Sequence, residues 1–140
     1  MRFDISTHQG AGSITFGMSP ADARAQVGAT FKSFKRTPQS TFPCDFFPSL
    51  GVFLYYTAQG QLEAIEFASP AQPHFQGSDL LKLSFSDLVA LLSAVDPKID
   101  IRDDGFTSRA CGIGAYAPDA SEDPAQPVET VLAFSASYYD

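Results

Sequence analysis

The stretch Gly12–Gly28 reads GSITFGMSPADARAQVG, and its pattern returns in Gly77–Leu92, which reads GSDLLKLSFSDLVALL. Each copy holds a short apolar stretch, the tetrapeptide Ser-x-x-Asp and a short helical pattern, and strand-like segments follow both copies. A pattern that recurs within one chain predicts repeated supersecondary units. A chain of 140 residues has the length of one domain. We therefore expect a single domain, residues 1–140, with pseudo-repeats at about residues 12–70 and 77–140.

The two Ser-x-x-Asp tetrapeptides predict where the helices begin. Ser19 and Ser84 are favourable N-cap residues, because a serine hydroxyl can accept a hydrogen bond from an amide of the first helical turn. The aspartate three residues later resembles the acid of a capping box. Gly28 ends the first helix, and the dipeptide Asp96-Pro97 stops the second.

Alternating apolar and polar residues predict strands after each helix. Val52–Tyr56 and Leu62–Phe67 flank a tight turn and form the clearest hairpin. Residues 98–102, 110–116 and 128–138 supply strands in the second half. Because the strands run consecutively through turns, we expect them to pair antiparallel. The predicted fold class is α+β, with tandem α-β-β-β repeats that form one antiparallel sheet with two helices on one face.

Two helices cover one face of such a sheet and leave the other face for solvent or a partner. The last strand predicts which side chains line this open face, because its small residues alternate with larger apolar ones. The expected lining consists of small residues and acids, with tyrosines among them: Gly112, Gly114, Ala133, Ser135, Ser137, Glu66 and Glu129. Such a lining is typical of a shallow protein-docking surface.

The net charge of −7 is unevenly distributed along the chain. Residues 1–60 carry a net charge of +2, residues 61–99 carry −3, and residues 100–140 carry −6. Nucleic acids require a basic face, so this balance argues against a nucleic-acid ligand. It favours a basic protein partner that the acidic half attracts. The alternative is that the acidic loops only keep the protein in solution.

The cysteines and the chain start indicate a cytoplasmic protein. Cys44 and Cys111 have no metal-ligand spacing, so we expect two free thiols in a reducing compartment. The first twenty residues lack a basic segment followed by an apolar one, and no apolar run is long enough for a membrane span. We therefore expect no membrane association.

The residues that usually carry catalysis or bind metals are scarce. His8 and His74 lie in loops flanked by glycine or proline, and no zinc-binding motif occurs. The run Asp103-Asp104-Gly105 is too short for a calcium loop. Cys44 has an acidic neighbour, which disfavours a reactive thiolate. Gly112-x-Gly114 lacks the rest of a dinucleotide fingerprint and marks a strand that another backbone or a partner approaches closely. The sequence predicts no enzyme, no cofactor and no metal.

Two stretches of the chain resemble known families. The pattern IxFGMSxxDARxxVG of Ile14–Gly28 resembles the opening helix of small αβ-repeat proteins, namely outer-membrane assembly lipoproteins of the SmpA/OmlA type and tandem-repeat β-lactamase inhibitory proteins. The second group has two αβ repeats that form one curved sheet and grip an enzyme. DFFPSLGVF of Asp45–Phe53, with EAIEF of Glu63–Phe67, resembles small bacterial proteins thought to act as toxin immunity proteins.

The resemblance and the charge distribution imply a cytoplasmic immunity or inhibitor protein that occludes a cognate toxin enzyme, such as a basic nuclease. Its acids would pair with basic side chains of the toxin, and its tyrosines would supply desolvated contact area. The expected contact residues are Asp103, Asp104, Tyr116, Asp119, Glu122, Asp123, Glu129 and Tyr139. Two alternatives remain open: a small-ligand or catalytic protein with a pocket near Cys44 and His74, or an accessory domain of an envelope or secretion system.

Overall fold

The computed structural model describes residues 1–140 as an α+β fold with two helices, thirteen strands and two sheets. In chain order the elements are β1 (Arg2–Ser6), β2 (Gly10–Ala11), β3 (Ile14–Thr15), α1 (Pro20–Val27), β4 (Lys32–Phe34), β5 (Cys44–Phe47), β6 (Val52–Tyr56), β7 (Leu62–Ala68), β8 (Gln72–Phe75), β9 (Ser78–Asp79), α2 (Phe85–Ser93), β10 (Asp100–Arg102), β11 (Gly105–Ser108), β12 (Ile113–Tyr116) and β13 (Thr130–Phe134).

Both helices begin at the serine caps that the sequence predicts. The Ser19 hydroxyl accepts a hydrogen bond from the amide of Asp22 at 3.2 Å, and the Ser84 hydroxyl accepts one from the amide of Asp87 at 3.0 Å. Gly28 ends α1 with a φ of 68°, in the left-handed region that glycine adopts without strain. These local predictions are confirmed because a cap depends on atoms within one helical turn.

The large sheet has eight antiparallel strands in the order β10-β11-β12-β13-β7-β6-β5-β4. Two four-stranded meanders meet where β13 pairs with β7. The sequence-based description has three strands after each helix and omits β5 and β11. Three prolines surround β5 and predict a loop there, while β11 is a short strand that starts directly after a turn at Gly105. The pseudo-repeat itself stays a prediction.

The expectation of one antiparallel sheet is wrong, because a second sheet has the order β3-β2-β1-β8-β9. In it β1 and β8 pair in parallel, with Phe3 opposite Pro73 and Asp4 opposite His74. Pro73 and Gly77 predict a crossover loop in this region. Proline has no amide hydrogen to donate, but it is compatible with a strand position where no donor is needed. The parallel partner lies in the other half of the chain, and local periodicity does not reveal it.

One hydrophobic core joins the helices, the small sheet and one face of the large sheet. Ala23 of α1 and Leu88 of α2 are fully buried in this core. On the large sheet it includes Ile65, Phe67 and Val131, which lie on one face because Phe67 and Val131 are direct cross-strand partners and Ile65 is two residues away. We call this side of the large sheet the core face and its opposite side the open face.

The face assignment that the sequence predicts for the last strand is reversed. Val131 and Ala133 lie on the core face, and Thr130, Leu132 and Phe134 lie on the open face. Both sets contain apolar residues, so alternation alone does not identify the buried set, and the pairing with β7 decides it. The strand also ends at Phe134. The expected lining residues Ser135 and Ser137 therefore follow the strand instead of facing out from it.

Candidate protein-binding surface

Six acidic residues of the second half lie at one end of the large sheet: Asp103, Asp104, Asp119, Glu122, Asp123 and Glu129. The loop 117–129 connects β12 to β13, and the turn 103–104 connects β10 to β11. The Ala117 amide donates a hydrogen bond to the Asp104 carbonyl at 2.7 Å, and the Glu129 amide donates one to the Tyr116 carbonyl at 2.8 Å. The first bond holds the loop beside the turn, and the second closes the base of the loop against the end of β12.

The loop 117–129 surrounds an open cavity of about 610 Å³, which we call the acidic cavity. Four of the predicted contact residues line it: Asp119, Glu122, Asp123 and Glu129. All four are exposed, and none forms a salt bridge within the chain. Several carboxylates around a concave surface produce a concentrated negative potential, so this cavity attracts cationic groups.

The acids do not form the acidic sheet face that the sequence-based hypothesis predicts. Asp103 and Asp104 are exposed in the turn beside the acidic cavity, and Glu129 precedes β13. On the open face the strands contribute Glu66 of β7 near the centre and Asp100 of β10 at the edge, where Asp100 forms a salt bridge with Arg102. The negative charge is therefore concentrated in the loops at one end, while the sheet surface beside them is mainly apolar.

The two predicted contact tyrosines lie together on the open face. Tyr116 is 47% exposed and Tyr139 is 45% exposed, and both line a cavity of about 170 Å³. Tyr139 follows the last strand and folds back, so that its ring packs edge-on against Phe134 with centroids 5.0 Å apart. The guanidinium of Arg109 lies 5.4 Å from the Tyr139 ring centroid. These contacts hold the ring in place against the sheet.

An aromatic row on the first half of the open face was missed from the sequence. Phe46 stacks on Phe53 with centroids 4.3 Å apart, and Phe34 meets Phe53 edge-on at 6.5 Å. Phe34 is 43% exposed. The row depends on β5, where the prolines hide the strand, although the pair Phe46-Phe47 is a signal that could have found it, because aromatic residues are enriched in strands.

The expected pocket shared by Cys44 and His74 is not present. Cys44 lines a cavity of about 270 Å³ with Arg36, Tyr55 and Glu63, and His74 is not among its lining residues. His74 lies in β8 of the small sheet, where its Nδ1 contacts the Gln72 carbonyl at 2.9 Å. Burial raises the pKa of the Cys44 thiol, which opposes thiolate formation. Cys44 and His74 belong to different sheets, and this separation cannot be predicted from the loop-like sequences around them.

The glycines of the Gly112-x-Gly114 pattern have different surroundings. A Cβ atom on Gly112 would lie 2.7 Å from the His8 ring, so this glycine accommodates a side chain of the same molecule. Gly114 lies on the open face and lines the cavity between the two tyrosines. The group that closely approaches the strand at Gly112 is therefore the His8 side chain of the same molecule.

No group of three or more His, Cys, Asp or Glu side chains has the geometry to hold a metal ion. None of the helices combines the length and the apolar character that a membrane span requires.

A scan against protein-family models, a search of curated proteins and a search of solved structures each found no match. The resemblance of Ile14–Gly28 to αβ-repeat proteins therefore rests on its own residues.

Proposed function

We propose that this protein is a cytoplasmic immunity or inhibitor protein that binds and occludes a cognate toxin enzyme, such as a basic nuclease. The observation that carries the proposal is the acidic cavity next to an open sheet face that presents exposed aromatic side chains. Aromatic side chains beside a polar, solvent-accessible rim are typical of specific protein interfaces.

The acidic end supplies attraction and specificity. Enzymes that cleave nucleic acids bind phosphates and so carry basic surfaces around their active sites. An acidic cavity can dock against such a surface and exclude the substrate. Charge complementarity of this kind raises association rate constants from about 10⁵–10⁶ M⁻¹s⁻¹ towards about 10⁸ M⁻¹s⁻¹ at low salt.

The open face supplies the contact area. Tyr116, Tyr139 and Phe34 are each more than two-fifths exposed, although they are anchored on strands or packed on Phe134. Rigid aromatic side chains bury a large area at a small entropic cost, and they are enriched among the residues that dominate binding energy. The partner is therefore expected to cover the tyrosine side of the open face together with the acidic cavity.

The experiment compares the wild-type protein with the quadruple variant Asp103→Lys, Asp104→Lys, Asp119→Lys and Glu122→Lys. None of these four side chains makes a hydrogen bond or a salt bridge within the protein, so the variant should fold. Tagged protein captures partners from a lysate of the native host, and each captured enzyme is then purified and assayed with and without the tagged protein.

We expect the wild-type protein to inhibit a captured basic enzyme at stoichiometric amounts, with an association rate that falls as salt is raised. The quadruple variant should associate at least about tenfold more slowly at low salt. A charge-reversed control with Asp4→Lys in β1 and Asp22→Lys in α1, both outside the acidic cavity and the segments bonded to its loop, should bind like the wild-type protein. Unchanged association of the quadruple variant would remove the acidic end from the interface.

A further inference from the structure

The cavity of about 170 Å³ on the open face has an uncommon lining, and we call it the Glu66 cavity. Its walls include the exposed rings of Tyr116 and Tyr139. Gly114 of β12 and Leu132 of β13 contribute to it from the sheet, and Glu66 of β7 adds a carboxylate. Pockets for drug-sized ligands measure about 300–1,000 Å³, so this cavity suits a single side chain.

The Glu66 carboxylate has no cationic partner in the protein. Its one hydrogen bond comes from the Tyr55 hydroxyl to Oε1, and no lysine, arginine or histidine forms a salt bridge with it. Glu66 is half-buried, and its cross-strand neighbours Phe53 and Leu132 are apolar. A half-buried carboxylate that has no counter-charge within the protein is available to form an ion pair with a bound cation.

The fold does not require this charge. A glutamine at position 66 would still accept the hydrogen bond from Tyr55, and it would remove the cost of desolvating an ion. The carboxylate is therefore a feature of the surface that internal contacts leave unexplained.

The surrounding groups match a cation as well. The face of a tyrosine ring attracts an ammonium or guanidinium group within about 6 Å of its centroid. Tyr139 already makes such a contact with Arg109, which lines the neighbouring cavity and not this one. Gly114 lines the cavity, and a Cβ atom there would lie in ordinary van der Waals contact, 3.4 Å from the Phe106 carbonyl oxygen and 4.0 Å from Leu132 Cβ, so alanine would occupy part of this space without a clash.

We propose that the Glu66 cavity binds one arginine or lysine side chain of the protein partner, with Glu66 as the counter-ion and Tyr116 and Tyr139 as aromatic walls. This inference rests on the proposed function and adds to it the anchor residue that the partner inserts. The acidic cavity would attract the partner from a distance, and the Glu66 cavity would hold one basic side chain in a partly desolvated site.

The test uses N-acetyl-arginine methylamide as the probe and its neutral isostere, N-acetyl-citrulline methylamide, as the matched ligand. Both are titrated into ¹⁵N-labelled full-length protein, and the amide shifts of Gly114, Thr107 and Leu132 are followed. We expect the arginine compound to shift these three amides with saturation in the millimolar range, and the citrulline compound to leave them unchanged.

Two variants and one control make the result specific. Glu66→Gln should weaken arginine binding at least about tenfold, which corresponds to the loss of one charge-assisted contact. Gly114→Ala adds a methyl group inside the cavity and should weaken binding without lowering the thermal midpoint by more than about 2 °C. Glu63→Gln, in the separate Cys44 cavity, should bind like the wild-type protein.

Equal shifts with arginine and citrulline, or binding by Glu66→Gln within twofold of wild type, would overturn the inference. The proposed function can fail separately. A captured and inhibited enzyme whose affinity is unchanged by Glu66→Gln would disprove the anchor and keep the inhibitor. Specific arginine binding without any inhibited enzyme would keep the cavity and remove the toxin-inhibitor proposal.

Discussion

Replacing Asp45 by asparagine tests the network that joins α1 to the edge of the large sheet. The Asp45 side chain is fully buried and accepts hydrogen bonds from Arg24 Nε and Nη2 at 2.8 and 2.9 Å. It also accepts one from the Ser33 hydroxyl at 2.6 Å and one from the Tyr56 hydroxyl at 2.7 Å. Burial disfavours the charged carboxylate, but the hydrogen bonds outweigh it and lower the pKa of Asp45 below its ordinary value.

The cost of Asp45→Asn follows from this geometry. Asparagine has one acceptor oxygen, and its NH₂ group faces donors that previously met an oxygen. Removing one member of a buried ion pair costs about 3–5 kcal/mol. The Arg24 side chain is 31% exposed, so water partly solvates the abandoned guanidinium, and we expect a loss near the lower end, about 3 kcal/mol. For a domain of this size that corresponds to a fall of about 10 °C in the thermal midpoint.

Urea unfolding followed by circular dichroism at pH 7 measures the loss, with Ser33→Ala as a milder comparison expected to cost about 1 kcal/mol. The pH dependence adds an independent check. Because the pKa is lowered in the folded state, Asp45 stabilises the protein above its unfolded pKa of about 3.9, and this contribution disappears as the pH falls towards the folded value. The gap between wild type and Asp45→Asn should therefore shrink below about pH 4. A loss under about 1 kcal/mol at pH 7 would refute the reasoning.

Gly112→Ala should lower the free energy of unfolding by about 1–3 kcal/mol in a thermal melt, because a φ of 68° is strained for alanine and the added Cβ would contact His8. The double variant with His8→Ala should regain only part of the lost stability. Full recovery of stability would contradict the contribution of backbone strain. Burial and a carboxylate neighbour raise the pKa of Tyr56, so its protonated form stabilises the protein below the unfolded pKa of about 10 and this contribution is lost as the pH rises above it. Urea unfolding from pH 9 to 11 should therefore show a weaker pH dependence for Tyr56→Phe, and parallel curves would count against this. The hydrogen bond from the Ser108 hydroxyl and those from backbone amides lower the pKa of Asp96, although burial acts to raise it. Ser108→Ala should therefore raise the pKa of Asp96 in a ¹³C NMR titration. An unchanged pKa would show that the backbone donors alone account for the lowered value.

Local chemistry explains the features that could be predicted from the sequence. The caps at Ser19 and Ser84 and the hairpin of β6 and β7 depend on contacts within a few residues, so their residues alone identify them. The acidic character of loop 117–129 follows from composition, and its exposure follows from its lack of apolar residues at strand spacing. Glu66 was expected on the open face, and it lies there.

The proline-rich surroundings of β5 show where such reasoning ends. Prolines normally interrupt strands, yet the segment 44–47 pairs with β4 on one side and β6 on the other because Phe47 is completely buried there. The burial of a large aromatic side chain and the hydrogen bonds of two neighbouring strands outweigh the local preference for a loop. Neither neighbour is visible in the four residues themselves.

The chain itself therefore encodes its helix starts, its tight turns and its uneven charge, since each depends on residues close together in the sequence. Long-range pairing decides the remaining features. The partner of β1 lies in β8, and the face of β13 depends on its register with β7, because burial selects one of two apolar sets. The Glu66 cavity likewise combines residues from β7, β12, β13 and the C-terminal turn. These side chains become neighbours only when the sheet has formed, because cross-strand contacts have no fixed separation along the chain.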